Sequence, residues 1–467
     1  MKLESIFSYI ILVGYIIIFS GIYMYIKNIV KNNGFNMMAM FMLTFTMFYL
    51  IVPFVQTFFK SYRNETSIFN FLFNEMSEES IFFNVLICLI CLICIISSYQ
   101  LTGKRNYKMK ECNEKTSVSE KRVLYKKLSF IVDIIFLISL LSIVLIIIEV
   151  GSIKSYLALG TLTRGIDKMP TTVIRSSYLQ LITLSTLILV PPYVYLYLYR
   201  INRKKITKIK FVISFVFAIL FLLYNQGRAP IILFVIPFIF SNKKISKKAI
   251  FKLLILFIFG LISLKYLDAI FKYLSYGNFV LDDGGNYIEK FLGEFSYPFT
   301  NFSIRSDLIE YSGYRYFYDY IVWPFTMIPS SLLKLIGLNK ELIISISSVN
   351  TNIYGSLVGI LPTGGIPVDF LTFNYYQFGY ISLFLSCFVV GVFLKKFDNI
   401  FRYFSDNLPI RIILYRISFS IINILNNSDI SAIVRNRLDI MVLIFLLMYI
   451  KLRIQKIDSN IIKNKAV

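Results

Sequence analysis

Histidine is missing from all 467 residues of the chain. Its absence excludes imidazole general bases, His-activated nucleophiles and His-ligated metals, leaving carboxylates, Tyr, Lys, Arg and backbone groups for any chemistry. Charge is scarce: 16% of residues are charged, against roughly a quarter in a soluble domain. Cysteine is sparse, at five residues. Cys88, Cys91 and Cys94 share an apolar run, but a fourth ligand and polar surroundings for an iron–sulfur site are missing, so they read as small apolar residues along a helix. Cys112 and Cys387 are isolated, and no disulfide framework follows. P-loop, Rossmann and zinc signatures are absent.

Apolar length is what the chain has in excess. It is 57% hydrophobic, in blocks that match the 20 or so residues a helix needs to cross a bilayer. The fold expected is an all-α polytopic membrane protein with about eleven transmembrane helices (about ten to twelve) and one long outer loop late in the chain. The spans centre on residues 5–26, 36–58, 81–99, 128–150, 178–198, 211–225, 230–240, 250–267, 370–394, 410–425 and 438–450. Of these, 211–225 and 230–240 are short and could form a tight hairpin, their flanking lysines snorkelling to lengthen them. The first block is too long for a signal-peptide core and no cleavage site follows it.

The net charge of +23 is explained by where the charge sits rather than by a nucleic-acid partner. Basic connectors at Lys104–Lys127, Arg200–Lys210, Lys243–Lys248, Lys395–Lys396 and beyond Lys451 fit the cytoplasmic side under the positive-inside rule. The N-terminus is then outside and the C-terminus inside. The chain divides into an N-terminal bundle (1–267), a long outer loop (268–369) and C-terminal helices with a basic tail (370–467). Within the loop, 321–338 is apolar but interrupted by Pro324 and Pro329, which suits a helix lying in the interface. Asp133, inside the fourth span, has Lys126 and Lys127 as expected partners or snorkels.

Several residues could carry chemistry. Gly227-Arg228-Ala229-Pro230 joins two apolar blocks on the outer side; Arg228 is either a snorkelled anchor or a guanidinium set beside a helix N-terminus for a phosphate. The outer loop holding Arg164 and Arg175 is unexpectedly basic, which an anionic ligand would explain, and Arg305 and Arg315 could complete such a site. Glu294 (in GEFSYP) and Asp369 (in GGIPVDF) are candidate catalytic carboxylates, one of which could take a proton from an attacking hydroxyl. The surrounding tyrosines, Tyr375 among them, suit sugar binding or an interfacial aromatic belt.

Asn350-Thr351, Tyr354, the run Gly364-Gly365-Ile366-Pro367-Val368-Asp369 and Tyr375-Tyr376-Gln377-Phe378-Gly379 entering a span, with Gly227-Arg228 and the late outer loop, resemble the O-antigen and capsule repeat-unit polymerase family. The likeness in layout covers nearly the whole chain. It implies a glycosyltransferase of the bacterial plasma (inner) membrane, working in lipopolysaccharide or capsular polysaccharide biosynthesis. Such an enzyme moves a growing chain from one undecaprenyl pyrophosphate carrier onto the next lipid-linked oligosaccharide. The resemblance implies no cofactor and no metal. It implies pyrophosphate-binding outer-loop arginines, which here would be Arg228 with Arg164, Arg305 or Arg315. The bilayer, the lipid-linked oligosaccharide, a chain-length regulator and a flippase are the partners it brings into view. The paired arginine-rich loops described for some members are not found. The related O-antigen ligases depend on a histidine, which disfavours that assignment; a flippase of the same lipid-linked unit is the rival reading.

Overall fold

The computed structural model describes residues 2–59, 76–103, 118–157, 176–224, 228–240, 287–326, 343–358, 366–404 and 408–465, with scattered positions between. Among the described residues there is no strand. The described residues form eighteen α-helices. They are α1 (Lys2–Asn33), α2 (Met37–Thr46), α3 (Val52–Phe58), α4 (Glu78–Gly103), α5 (Val118–Val150), α6 (Ser176–Ser185), α7 (Pro191–Asn202), α8 (Lys205–Tyr224) and α9 (Arg228–Phe240). After them come α10 (Tyr287–Ser303), α11 (Arg305–Ser312), α12 (Tyr318–Thr326), α13 (Ser330–Leu335) and α14 (Ile346–Val358). The last four are α15 (Phe370–Tyr403), α16 (Leu408–Ile422), α17 (Ile430–Asn436) and α18 (Leu438–Lys465).

Among the described residues, seven stretches are helical, long and apolar enough to cross a membrane: Tyr9–Asn32, Met37–Phe58, Glu78–Gly103, Tyr125–Val150, Gln180–Asn202, Lys205–Leu223 and Phe370–Tyr403. This is a membrane protein. The short block at 211–225 gains its length on its N-terminal side, where α8 starts at Lys205. The block at 230–240 falls in the 13-residue α9, and 410–425 in the 15-residue α16 with a 3-10 turn after it. The block at 250–267 lies almost wholly outside the described residues. The apolar segment at 321–338 forms two short helices, α12 with Pro324 inside it and α13.

Prolines place two irregularities in the bundle. Pro53 has no N–H to give the Tyr49 carbonyl, and its ring would crowd that carbonyl in a regular helix. The chain widens there into a π turn over Met47–Ile51, closed by Val52 N–H to the Met47 carbonyl. Pro237 likewise deprives the Leu233 carbonyl inside α9, and Arg416 Nη1 from α16 donates to it at 3.1 Å. The same guanidinium pairs with Asp439 at 2.6 Å, with both side chains essentially buried. A carbonyl freed inside a buried apolar helix needs a donor from a neighbour, and here it comes from a charged one.

Asp133 finds a different partner from the one expected. Lys210 Nζ lies 2.8 and 2.7 Å from its two oxygens, and Tyr195 Oη donates at 2.6 Å. Lys126 and Lys127 lie about two turns away along the same helix, roughly 10 Å, whereas α8 brings Lys210 to the same depth.

Candidate functional site

The start of α15 is built from polar side chains of four separate elements. Asp369 is the N-cap of α15, and its Oδ2 accepts from the backbone N–H groups of Leu371 (3.0 Å) and Thr372 (3.2 Å). Tyr49, in the π turn, donates its hydroxyl to the same oxygen at 2.7 Å. Asn301 on α10 donates to Oδ1 at 2.9 Å. Asn350 on α14 donates to Asn301 Oδ1 and to the Pro367 carbonyl, both at 3.2 Å, and accepts from Tyr376 Oη at 3.3 Å. Thr351 Oγ1 accepts from the Ile366 N–H at 2.7 Å. Burial pushes the Asp369 carboxyl up from its ordinary 3.8 to about 6, and the donated hydrogen bonds hold it back from rising further. Asp369 thus ties the elements together, and both its oxygens are engaged.

Two turns into α15 the helix breaks. Phe378 (φ −164°, ψ 42°) and Gly379 (φ 62°, ψ −144°) leave helical geometry. Ser382 replaces the lost turn: its hydroxyl donates to the Asn374 carbonyl at 2.6 Å and accepts from the Phe378 N–H at 2.9 Å. The segment after α11 docks on this break, with Arg315 N–H to the Tyr376 carbonyl (2.8 Å) and Tyr316 N–H to the Gln377 carbonyl (2.9 Å). Tyr316 and Phe317 hold left-handed φ values of 46° and 64°, a strain on the order of 1–2 kcal/mol each. Gly379 sits where only glycine is comfortable, and a Cβ there would stand 3.3 Å from the Tyr314 hydroxyl. Gly379→Ala is expected to lower stability by about 2 kcal/mol, read as the thermal midpoint in detergent; an unchanged midpoint would contradict the break.

The candidate arginines divide. Arg315 is committed: Nε and Nη2 grip Asp319 at 2.7 and 2.8 Å, Nη2 also reaches the Ile344 carbonyl at 2.9 Å, and Gln377 donates to Asp319 at 3.1 Å. Arg305, at the start of α11, is only 5% exposed. Its Nη1 donates to Asn84 Oδ1 (2.7 Å) and the Phe302 carbonyl (2.9 Å), and its Nη2 to Tyr380 Oη (2.7 Å). The guanidinium carbon lies 4.4 Å from the Phe302 ring centroid, 5.5 Å from that of Tyr375 and 5.6 Å from that of Tyr380. Its Nε is buried without a hydrogen-bond partner, and none of the described ion pairs includes it. A buried guanidinium that faces rings and amides but no carboxylate among the described residues has charge left over for an anion.

The structure therefore brings Arg305 and Tyr375 into contact, holds Asp369 in a separate hydrogen-bonded group that Asn301 joins from α10, and locks Arg315 to Asp319. Glu294 lies on α10 and Arg228 opens α9, but their side chains, like Arg164 and Arg175, lie outside the described residues. Sequence reasoning missed Tyr49, Asn84, Asn301 and Tyr380. Asn84 carried a signal: a lone amide inside the apolar run of the third span, where an unpaired polar group would be costly. No group of three or more metal-ligating side chains occurs among the described residues. Comparison with protein-family models, curated proteins and solved structures gives no match.

Proposed function

We propose that this chain is a polyprenyl-pyrophosphate-dependent glycosyltransferase. It would polymerise undecaprenyl-pyrophosphate-linked oligosaccharide repeat units into O-antigen or capsular polysaccharide at the outer face of the bacterial plasma membrane. The observation that carries this reading is Arg305, a buried guanidinium with an unpaired Nε and no carboxylate partner among the described residues. Its support is the convergence of Asn350, Thr351, Asp369, Tyr376 and Gln377, the residues on which the family resemblance rests, within the buried framework beside it.

In the transfer, the anomeric C–O bond to the pyrophosphate breaks and a bond to the acceptor hydroxyl forms. Charge develops on the departing pyrophosphate, where a guanidinium fixed in advance stabilises the transition state most. Arg305 takes that role, with Arg228 and Arg164 as its partners from the other outer connectors. Glu294, on the helix that leads to Asn301 and Arg305, takes the acceptor proton. Asp369 acts as a positioning residue, and Arg315 braces the break through Asp319. The N-terminus lies outside and the C-terminus in the cytoplasm, which puts the site at the outer face.

The test is a gel of surface polysaccharide from cells lacking the gene. Anchors capped with a single repeat and no ladder above them are the expected result, and Arg305→Gln is expected to reproduce it, with at least a tenfold loss of polymer at normal protein level. Loss of the single repeat as well would favour a flippase. An unchanged ladder would overturn the reading.

A further inference from the structure

Near Arg305 the chain exposes three aromatic rings in a fixed arrangement. Tyr314, Tyr316 and Phe378 are 39%, 64% and 45% exposed. Their centroids lie 6.2 Å (Tyr314–Tyr316), 6.5 Å (Tyr314–Phe378) and 5.9 Å (Tyr316–Phe378) apart, with the rings tilted 49–60° to one another. They are inclined like the walls of a shallow trough rather than stacked. Tyr314 is also 6.4 Å from Tyr375, whose ring stands against Arg305. One ring-to-ring step, from Tyr314 to Tyr375, and one ring-to-guanidinium step, from Tyr375 to Arg305, thus lead from the exposed rings to the buried guanidinium.

We propose that Tyr314, Tyr316 and Phe378 form a carbohydrate-binding shelf that holds the sugar attached to a phosphate seated at Arg305. The C–H faces of a pyranose carry slight positive charge and match the negative face of an aromatic ring, and tyrosine adds a hydroxyl for the sugar's own. A bilayer interface would also accept these rings. It asks for no fixed geometry, however, and here the geometry is enforced at a cost. Tyr316 holds a left-handed backbone that its side chain disfavours, and Gly379 a conformation reserved for glycine. Both are clamped by the bidentate Arg315–Asp319 pair and the backbone bonds across the break. The leftover positive charge at Arg305 adjoins the shelf, so the ligand it suits is a sugar joined to an anion. This rests on the anion-binding reading of Arg305 and adds where the sugar lies and which rings hold it.

The experiment uses the full-length protein in detergent with N-acetylglucosamine 1-phosphate as the probe. Broadening of the phosphorus NMR line reports the phosphate, and saturation transferred from protein to the ring C–H protons reports the shelf. The expected result is both signals in the wild type. In Y314A/Y316A the ring saturation should fall at least fivefold while the phosphorus broadening persists. Ring saturation that survives in Y314A/Y316A overturns the shelf and leaves Arg305 untouched. Broadening without ring saturation in the wild type does the same; if the emission of the single tryptophan, Trp323, then shifts between detergent and bilayer discs in a way Y314A/Y316A abolishes, the rings belong to the bilayer interface. Neither signal in the wild type overturns the anion site with it. The polysaccharide ladder is read separately, so a failed shelf is distinguishable from a failed polymerase reading.

Discussion

Gly391→Ala is expected to destabilise the protein by about 3 kcal/mol or more, although it adds one methyl group to a membrane helix. Gly391 lies where α15 crosses α4. A Cβ built there stands 1.8 Å from Ser98 Oγ and 2.3 Å from the Ile95 carbonyl oxygen. The serine hydroxyl can turn away, but the carbonyl is helix backbone and cannot. The two helices would have to separate along their contact. Membrane helices that approach through small residues gain their association from that close packing, and overfilling a tight contact ordinarily costs 1–3 kcal/mol even without a backbone clash. Gly21 on α1 supplies the contrast, since a Cβ there meets nothing within 4 Å. Gly21→Ala is expected to be neutral, or stabilising by up to about 1 kcal/mol through helix propensity. Thermal midpoints of both variants in detergent test the pair, and equal midpoints would contradict the crossing.

The sequence made the apolar blocks legible because bilayer thickness sets a length that single residues cannot disguise. It also singled out Arg305, Tyr375 and Asp369. What it could not show is which groups those residues meet. Asp369 is held by Tyr49, 320 positions earlier, and Arg416 satisfies Leu233, 183 positions earlier. The second partnership follows from a proline that disturbs a helix, and a proline reveals the orphaned carbonyl but not the helix that packs beside it. Arg315 was legible in principle. An opposite charge, Asp319, stands only four residues on, and so Arg315 was a candidate for an internal ion pair as much as for a ligand. The long helix α15 shows the same limit. Asp398, far along α15, accepts from Asn36 Nδ2 and Met37 N–H (both 2.8 Å) and from Tyr99 Oη (2.7 Å). It thereby closes the start of α2 against the end of α4, which no local pattern announces.

Asp369→Ala is expected to abolish recovery of folded protein, and Asp369→Asn to be tolerated with an altered response to pH. Alanine leaves Tyr49 Oη, Asn301 Nδ2 and the N–H groups of Leu371 and Thr372 without their acceptor. A buried donor left unpaired costs about 1–3 kcal/mol, so several together match the whole stability of an ordinary domain. Asparagine can keep its oxygen where Oδ2 was, retaining Tyr49, Leu371 and Thr372. Its NH₂ then faces Asn301, whose amide must flip, and Asn350 must flip in turn. That chain ends with Asn350 donating to Tyr376 Oη, and the bond it gave up is the one to the Pro367 carbonyl. The cost is one buried hydrogen bond, about 1 kcal/mol. The pH response separates the variants further. The folded-state pKa of Asp369 is raised by burial from 3.8 to about 6, so the folded protein holds its proton more tightly than the unfolded chain. Stability from this group is greatest below about pH 4 and falls as pH rises to about 6, by about 3 kcal/mol across the window. Asp369→Asn has no proton to lose there. The wild type should therefore lose stability relative to Asp369→Asn between about pH 4 and 6, measured as the difference in thermal midpoint in detergent. A difference that is flat over that window, or that grows in the wild type's favour, would show that Asp369 is not buried as the N-cap of α15.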